Sequence, residues 1–404
     1  MSRTVFFGLS GGMGPVFRSL PIAAEFRKEG IEPVFQIYSE ASAALINELG
    51  FLQVEDDDPT MPMADKLIPA SPHFYHLDHY FAQAGLLDDR FLRSWILHRI
   101  RMLESVKPDM VVADMSPHSV IAARVLGIPV VTVTQSCFHP NGKRVYAWGE
   151  PPRNLPMVTP LVNKILTQYG LPKIARMEDL NAGDLSIVPS IPEMDPIDDP
   201  LVKYVGPLEF SLQTNLEEEK LHLQGEPYYL VYPGRLYDSC GDSGLSLVKS
   251  VIRAFAGKPE KIIFCLSEGI PADLELPVGN FRVISSFSTE LLRHARLFIH
   301  HGGHGSCLSA MVNGVPALII PTHAERQFNA RHVYQTGCGE YLLPGMFTAE
   351  HLYQLATYVA QDPVYKQNCC EMRRRVEEQS YGGAAEAVLH SKKLLMDTIL
   401  RRSR

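Results

Sequence analysis

Residues 4–15 read Thr4-Val5-Phe6-Phe7-Gly8-Leu9-Ser10-Gly11-Gly12-Met13-Gly14-Pro15. A short apolar run breaks into glycines and then into Val16, Leu20, Ala23 and Ala24, which recur at helical spacing. Pro15 suits a first helical turn and Gly30 suits a C-terminal stop, while Pro21 inside the pattern predicts a kink or an early break. A second apolar run, 33–38, follows. Strand, glycine turn, helix and strand make a βαβ unit, hence a parallel sheet.

The unit recurs outward from this segment. Residues 107–113 form a strand ending in Asp114, 119–126 a helix, and 128–133 a strand. A second series opens at 228–232 and runs through 245–255, 261–266, 282–284, 289–294, 297–300, 305–313 and 317–320. Two series of alternating elements predict an α/β protein of two Rossmann-like domains. The expected division is 1–205, a linker at 206–226, a second domain at 227–383, and a final helix at 384–404 packing back on the first domain. Residues 56–84 and 138–180 read as irregular.

Composition narrows the function. The 404 residues carry 38 Lys+Arg against 45 Asp+Glu, a formal charge of −7, which argues against a sequence-independent nucleic-acid binder. The seven cysteines are scattered, with no C-x-x-C pair, so they read as free, mostly buried thiols in a reducing cytoplasm. No apolar run is long enough for a signal-peptide core or a membrane span.

The densest chemistry is Phe298-Ile299-His300-His301-Gly302-Gly303-His304-Gly305-Ser306. A strand runs into glycines and a helix begins at about Ser306. Glycines let a ligand approach the backbone, and a helix start offers unpaired N–H groups and the positive end of its dipole. With the Ser306 hydroxyl and His301 as further donors, the stretch reads as an anion site of diphosphate type. Neither G-K-[ST] nor G-x-G-x-x-G is present.

This stretch, followed by Gly314-Val315-Pro316 and by Pro321, Glu325, Asn329 and Ala330, resembles the donor-site signature of GT-B glycosyltransferases that decorate small molecules. The segment from Asn280 to Phe287 and Leu291-Leu292 looks like the family's nucleobase segment. Tyr204-Val205-Gly206-Pro207-Leu208 looks like its interdomain linker, and Gly11, Gly12 and Met13 look like its acceptor-side loop. The resemblance implies two Rossmann-like domains facing each other across a cleft. It implies a nucleotide diphosphate sugar (UDP or dTDP) as co-substrate, a small-molecule acceptor, inversion at the anomeric carbon, and neither metal nor other cofactor. It implies that His301, Gly303, Gly305 and Ser306 contact the diphosphate. Glu325, followed by Arg326, would meet the sugar hydroxyls, Phe287 would pack on the base, and Arg235 would approach the phosphates. A solvated surface arginine is the alternative for Arg235.

The chain departs from the family at Gly12, where a histidine or aspartate usually removes the acceptor proton, at Arg326 in place of glutamine, and at Ser309 in place of a ribose-binding glutamate. Asp114, closing a strand, and His118, near the next helix start, are the candidates for the missing base. The ordinary readings are an N-cap-like Asp114 and a surface His118. His73, His76 and His79 would share a helix face, but Pro72 points to a loop and an acceptor-pocket wall rather than a metal site. A GT-B-fold nucleotide-sugar epimerase and a catalytically degenerate auxiliary protein remain alternatives.

Overall fold

The computed structural model describes residues 3–56, 59–69, 71–145, 151–208, 227–238, 241–267, 269–272 and 274–402. The chain divides into two compact units, Met1–Phe210 with Tyr381–Arg404, and Ser211–Ser380. Of the expected linker at 206–226, positions 209–226 lie outside the described residues.

The first unit contains β1 (Arg3–Leu9), α1 (Met13–Lys28), β2 (Ile31–Gln36), α2 (Glu40–Glu48), β3 (Leu52–Gln53), α3 (Leu77–Gln83), α4 (Asp89–Val106), β4 (Met110–Asp114), α5 (Pro117–Leu126), β5 (Val130–Val133), α6 (Thr159–Gln168), β6 (Leu185–Val188) and β7 (Val202–Tyr204). Its strands pair in parallel in the order β3-β2-β1-β4-β5-β6-β7. The order reverses between β1 and β4, so the crevice where such sheets bind ligands opens beyond Leu9 and Asp114. Runs such as Val111-Val112-Ala113 are buried on both faces, as an all-parallel sheet requires.

The second unit contains β8 (Tyr228–Tyr232), α7 (Ser243–Phe255), β9 (Lys261–Cys265), β10 (Phe281–Ile284), α8 (Thr289–His294), β11 (Ala295–His300), α9 (His304–Val312), β12 (Ala317–Ile319), α10 (Ala324–Gln335), β13 (Gly339–Tyr341), α11 (Ala349–Gln361) and α12 (Pro363–Gln379). The sheet is again parallel, ordered β10-β9-β8-β11-β12-β13, and it reverses between β8 and β11. The last helix, α13 (Gly383–Arg402), belongs to the first unit. Ala387, Val388 and Leu395 share one apolar core with Val16, Leu20 and Ala23 of α1.

Three expectations need correction. Pro21 does not end α1, which runs unbroken over 16 residues. Burial of Val16, Leu20, Ile22, Ala23 and Phe26 outweighs the roughly 3 kcal/mol cost of an interior proline. The stretch 56–84 contains α3, started by the His76 side chain, which accepts from the His79 N–H. The stretch 138–180 contains α6, and its start is held from afar: Asp78 of α3 accepts from Thr159 N and Thr159 Oγ1. A cap supplied from 81 residues away leaves no local signal. Among the described cysteines, Cys137, Cys265, Cys307, Cys338 and Cys369 are buried free thiols and Cys370 is exposed, while Cys240 lies outside the described residues.

Candidate functional site

In the second unit, β8 delivers Gly234 and Arg235 to the switch point, and β11 delivers His301, Gly302 and Gly303 beside them. Gly303 is the N-cap of α9 and brings no side chain to its first turn. The N-terminal backbone of that helix therefore faces the crevice with no capping carboxylate or hydroxyl from its cap residue. The helix starts at His304, two residues earlier than its sequence suggests, so Gly305 and Ser306 lie in its first turn.

His301 is buried rather than set at a loop mouth. Its ring lies between two glycine backbones: a β-carbon would stand 3.0 Å from Nε2 at position 234 and 2.5 Å from it at position 303. The Tyr232 carbonyl lies 3.3 Å from both the His301 backbone N and its Nδ1. A carbonyl only accepts, so Nδ1 carries a proton. Burial, then the charges of Arg326 and His300, hold this imidazole well below its ordinary 6.5. The ring is thus neutral, with a lone pair at Nε2. Donation to an anion through Nε2 requires a second proton, which the anion's own charge favours.

The Phe287 ring stacks with Tyr232, at 5.3 Å, and with Phe298, at 5.6 Å, and Tyr232 in turn meets the His301 ring edge-on at 5.4 Å. Glu325 and Arg326 begin α10 against the glycine loop. Asn329 Nδ2 donates both to Glu325 Oε1, at 2.7 Å, and to the Gly302 carbonyl, at 3.0 Å. Gly302 has φ +87°, and a β-carbon there would meet the Arg326 carbonyl at 2.8 Å. Arg326 donates to Thr322 Oγ1 and pairs with Asp238 at 3.6 Å, tying α10 to the loop after β8. Arg235 is exposed at that loop. The structure therefore gathers Arg235, Phe287, His301, Gly303, Gly305, Ser306, Glu325 and Arg326 around one switch point.

In the first unit, Gly12 caps α1 without a side chain, and Met13 turns back so that its Sδ accepts from Ser42 Oγ at 3.0 Å. Asp114 is buried at the end of β4. Arg18 Nε and NH2 donate to its two oxygens at 3.0 and 2.9 Å. This fork-to-fork pair engages both oxygens, which makes Asp114 a partner for Arg18 before it is a base.

His118 is not a surface residue: it is 1% exposed, with its ring under Trp95 at 3.6 Å. Its Nε2 receives Arg99 NH2 at 2.9 Å and lies 2.6 Å from Tyr38 Oη. Arginine only donates, so Nε2 is the acceptor and Nδ1–H faces Ser116 Oγ at 3.3 Å. Burial and then the Arg99 charge hold this imidazole well below its ordinary value. Tyr38, Trp95 and Arg99 escaped the sequence reading. One signal was available: Arg99 interrupts the apolar stripe Leu92, Ile96, Leu103 of α4.

His76 and His79 stand at the start of α3, with His79 Nε2 3.2 Å from Gln83 Nε2 and the His79 ring stacked on Tyr75. Among the described residues, no group of three or more His, Cys, Asp or Glu side chains is placed to hold a metal ion. Nor is any described helix long and apolar enough to cross a membrane.

The chain is similar to known proteins in both sequence and structure. Residues 251–388 match the family model described as erythromycin biosynthesis protein CIII-like, C-terminal domain. Demethyllactenocin mycarosyltransferase of Streptomyces fradiae is 28% identical over 165 residues, 40% of this chain and 34% of that protein. NDP-glycosyltransferase YjiC of Bacillus subtilis (strain 168) is 31% identical over 188 residues, 46% of each. The chain thus spans less than half the length of these curated relatives. In structure, CalG4, the calicheamicin glycosyltransferase, superposes over 98% of both chains with a TM-score of 0.72 at 19% identity. The chain therefore has the two-domain GT-B fold, and residues 251–388, most of them in its second unit, are similar to the erythromycin-CIII-like C-terminal domain.

Proposed function

We propose that the protein is a metal-independent inverting glycosyltransferase that moves a sugar from a nucleotide diphosphate to a small natural-product acceptor. The observation that carries this reading is the meeting of Gly234, the buried His301 and the glycine-capped start of α9 at one switch point. Such a site suits a diphosphate leaving group: backbone N–H groups and a protonated His301 stabilise the charge that develops as the sugar departs. The names of the mycarosyltransferase and the NDP-glycosyltransferase support the same reaction class.

In this reading residues 227–383 bind the donor and 1–205 the acceptor, joined by 206–226. Phe287 carries the base, Arg235 pairs with the phosphates, and Glu325 and Arg326 meet the sugar. Gly11, Gly12 and Met13 border the acceptor, and the acceptor proton leaves through the group around Asp114 and His118. The reaction belongs in the cytoplasm, where the buried thiols stay reduced.

The test incubates the purified protein with UDP- and dTDP-sugars, with and without aromatic polycyclic acceptors, and reads products by mass spectrometry. A glycosylated acceptor is expected. Isomerised donor without acceptor would instead indicate an epimerase, and nucleotide binding without turnover an auxiliary protein. His301→Ala is expected to lower transfer by about a hundred- to a thousandfold while the fold persists, as for loss of one preorganised donor to an oxyanion.

A further inference from the structure

An ion pair spans the switch-point crevice of the second unit. Loops leave the C-terminal ends of β8, β11 and β12 at one edge of the parallel sheet, in that spatial order. Asp238 lies on the loop after β8, and Arg326 lies in the first turn of α10, which follows β12. Their charged groups stand 3.6 Å apart. A pair that joins the first of these loops to the third has to pass the end of β11, where His301, Gly302 and Gly303 sit.

The course of Arg326 is fixed at its root. A β-carbon on Gly302 would stand 2.8 Å from the Arg326 carbonyl oxygen and 3.1 Å from the Arg326 β-carbon, so the residue starts against the glycine loop. From there the guanidinium donates to Thr322 Oγ1 and reaches Asp238. Its charge is felt at His301, where it opposes a second proton, and at Tyr232, where it offsets part of the rise that burial imposes on the phenol. The adjacent carboxylate, Glu325, is turned to Asn329 Nδ2 at 2.7 Å.

The pair is built to open. At 3.6 Å it is an ion pair without a hydrogen bond. The Arg326 and Asp238 side chains are 24% and 19% exposed, so solvent screens their attraction. The Asp238 backbone is held independently: its N donates to the Gly241 carbonyl at 2.9 Å, and Gly241 N donates to the Asp238 carbonyl at 3.1 Å. Separating the two charges therefore leaves the turn in place. A diphosphate brings the guanidinium a larger charge and oxygens that it can meet at hydrogen-bond distance.

We propose that Asp238 and Arg326 form a closed clasp over the donor site, which the diphosphate opens by taking the guanidinium from Asp238. This rests on the glycosyltransferase reading and extends the part given there to Arg326, from the sugar to the phosphates. No covalent bond is made or broken, since one anion replaces another on the same cation. Asp238 is thus an internal competitor of the diphosphate, and it keeps Arg326 extended across the crevice until the donor arrives.

Calorimetric titration with UDP and with dTDP tests the clasp. For the diphosphate that the wild type binds more tightly, Asp238→Asn should bind about two- to fivefold tighter, because the competing charge is gone. A gain of affinity is not an outcome of misfolding. Arg326→Gln should bind about tenfold or more weaker, as for loss of a hydrogen bond to a charged group. In the Arg326→Gln background, Asp238→Asn should bring little or no gain. Unchanged or weaker binding by Asp238→Asn would mark the pair as structural. A full gain in the double variant would reduce Asp238 to a simple repulsive charge, and wild-type affinity in Arg326→Gln would return Arg326 to the sugar. Each of these three results overturns the clasp and leaves the donor site standing. A wild type that binds neither UDP nor dTDP overturns the donor-site reading itself, and the clasp with it.

Discussion

The His301 imidazole rests on the backbone of Gly234, whose φ is +72° and at which a β-carbon would stand only 3.0 Å from Nε2. Gly234→Ala therefore carries two penalties, the left-handed backbone and a displaced imidazole. Gly257 has φ +71° with nothing within 4 Å, so Gly257→Ala carries only the first. Gly257→Ala is expected to lose about 1 kcal/mol of stability in urea unfolding, and Gly234→Ala more than that. Only Gly234→Ala should also weaken UDP or dTDP binding, by about tenfold. Equal nucleotide affinity in both variants would remove His301 from the diphosphate site.

The Tyr232 carbonyl keeps a proton on His301 Nδ1, so an anion at Nε2 is met by a donor only when the ring is charged. The free ring is neutral because burial holds its pKa low. Binding of UDP should therefore take up a proton, and affinity should rise as pH falls from about 8 to 7, a range in which the free ring is neutral. Calorimetry in two buffers of different ionisation enthalpy measures the uptake. His301→Gln, which cannot gain a proton, should abolish it. Persistence of the uptake in that variant would assign the proton to another group.

Asp114, 1% exposed, and Arg18, 18% exposed, form a bidentate pair at the end of β4. Asp114→Asn leaves the guanidinium facing a neutral amide and is expected to cost about 3 kcal/mol in urea unfolding. The double variant with Arg18→Met should recover part of this, because the guanidinium no longer faces the amide. An Asp114→Asn protein as stable as the wild type would show that the pair contributes nothing.

Burial lowers the pKa of His118, His300 and His301, with His300 down to about 3. The unfolded chain protonates these rings near 6.5, while the folded chain does not until far lower pH. Above 6.5 both states are neutral and the terms vanish. As pH falls below that value the unfolded state gains protons, so stability drops, by up to about 1.4 kcal/mol per pH unit for each fully shifted ring. The melting temperature should fall between pH 6.5 and 5. His118→Gln should flatten the slope, and a slope equal to the wild type's would place the loss elsewhere.

Under the proposed function, transfer activity should survive exhaustive EDTA treatment, since the α9 N-terminus and His301 would supply the positive side of the diphosphate site. Activity lost to EDTA and restored by magnesium or manganese would contradict this.

The fold was legible because its signals are local. Apolar runs bounded by Gly11-Gly12 and by Gly302-Gly303 mark strand ends, and helical periodicity follows each. A parallel α/β sheet needs nothing more, since strands buried on both faces read as continuous apolar runs. The glycine-rich stretch at 298–306 also reads as an anion site by itself, because glycines and a helix start leave backbone N–H groups accessible.

What the tertiary structure decided are relations across distance. Whether His118 lies at the surface depends on Trp95, 23 positions away, and its protonation depends on Arg99 and burial, which no spacing rule encodes. The role open to Asp114 changed once Arg18 of α1 was seen to grip both its oxygens. Tyr38 comes within 2.6 Å of His118 Nε2 only because β2 ends beside the Gly11 loop. A sequence records which groups are present and their local conformational preference. The pairing of a buried charge or proton is set by whichever side chains the fold brings within about 3 Å of it, and packing alone selects those.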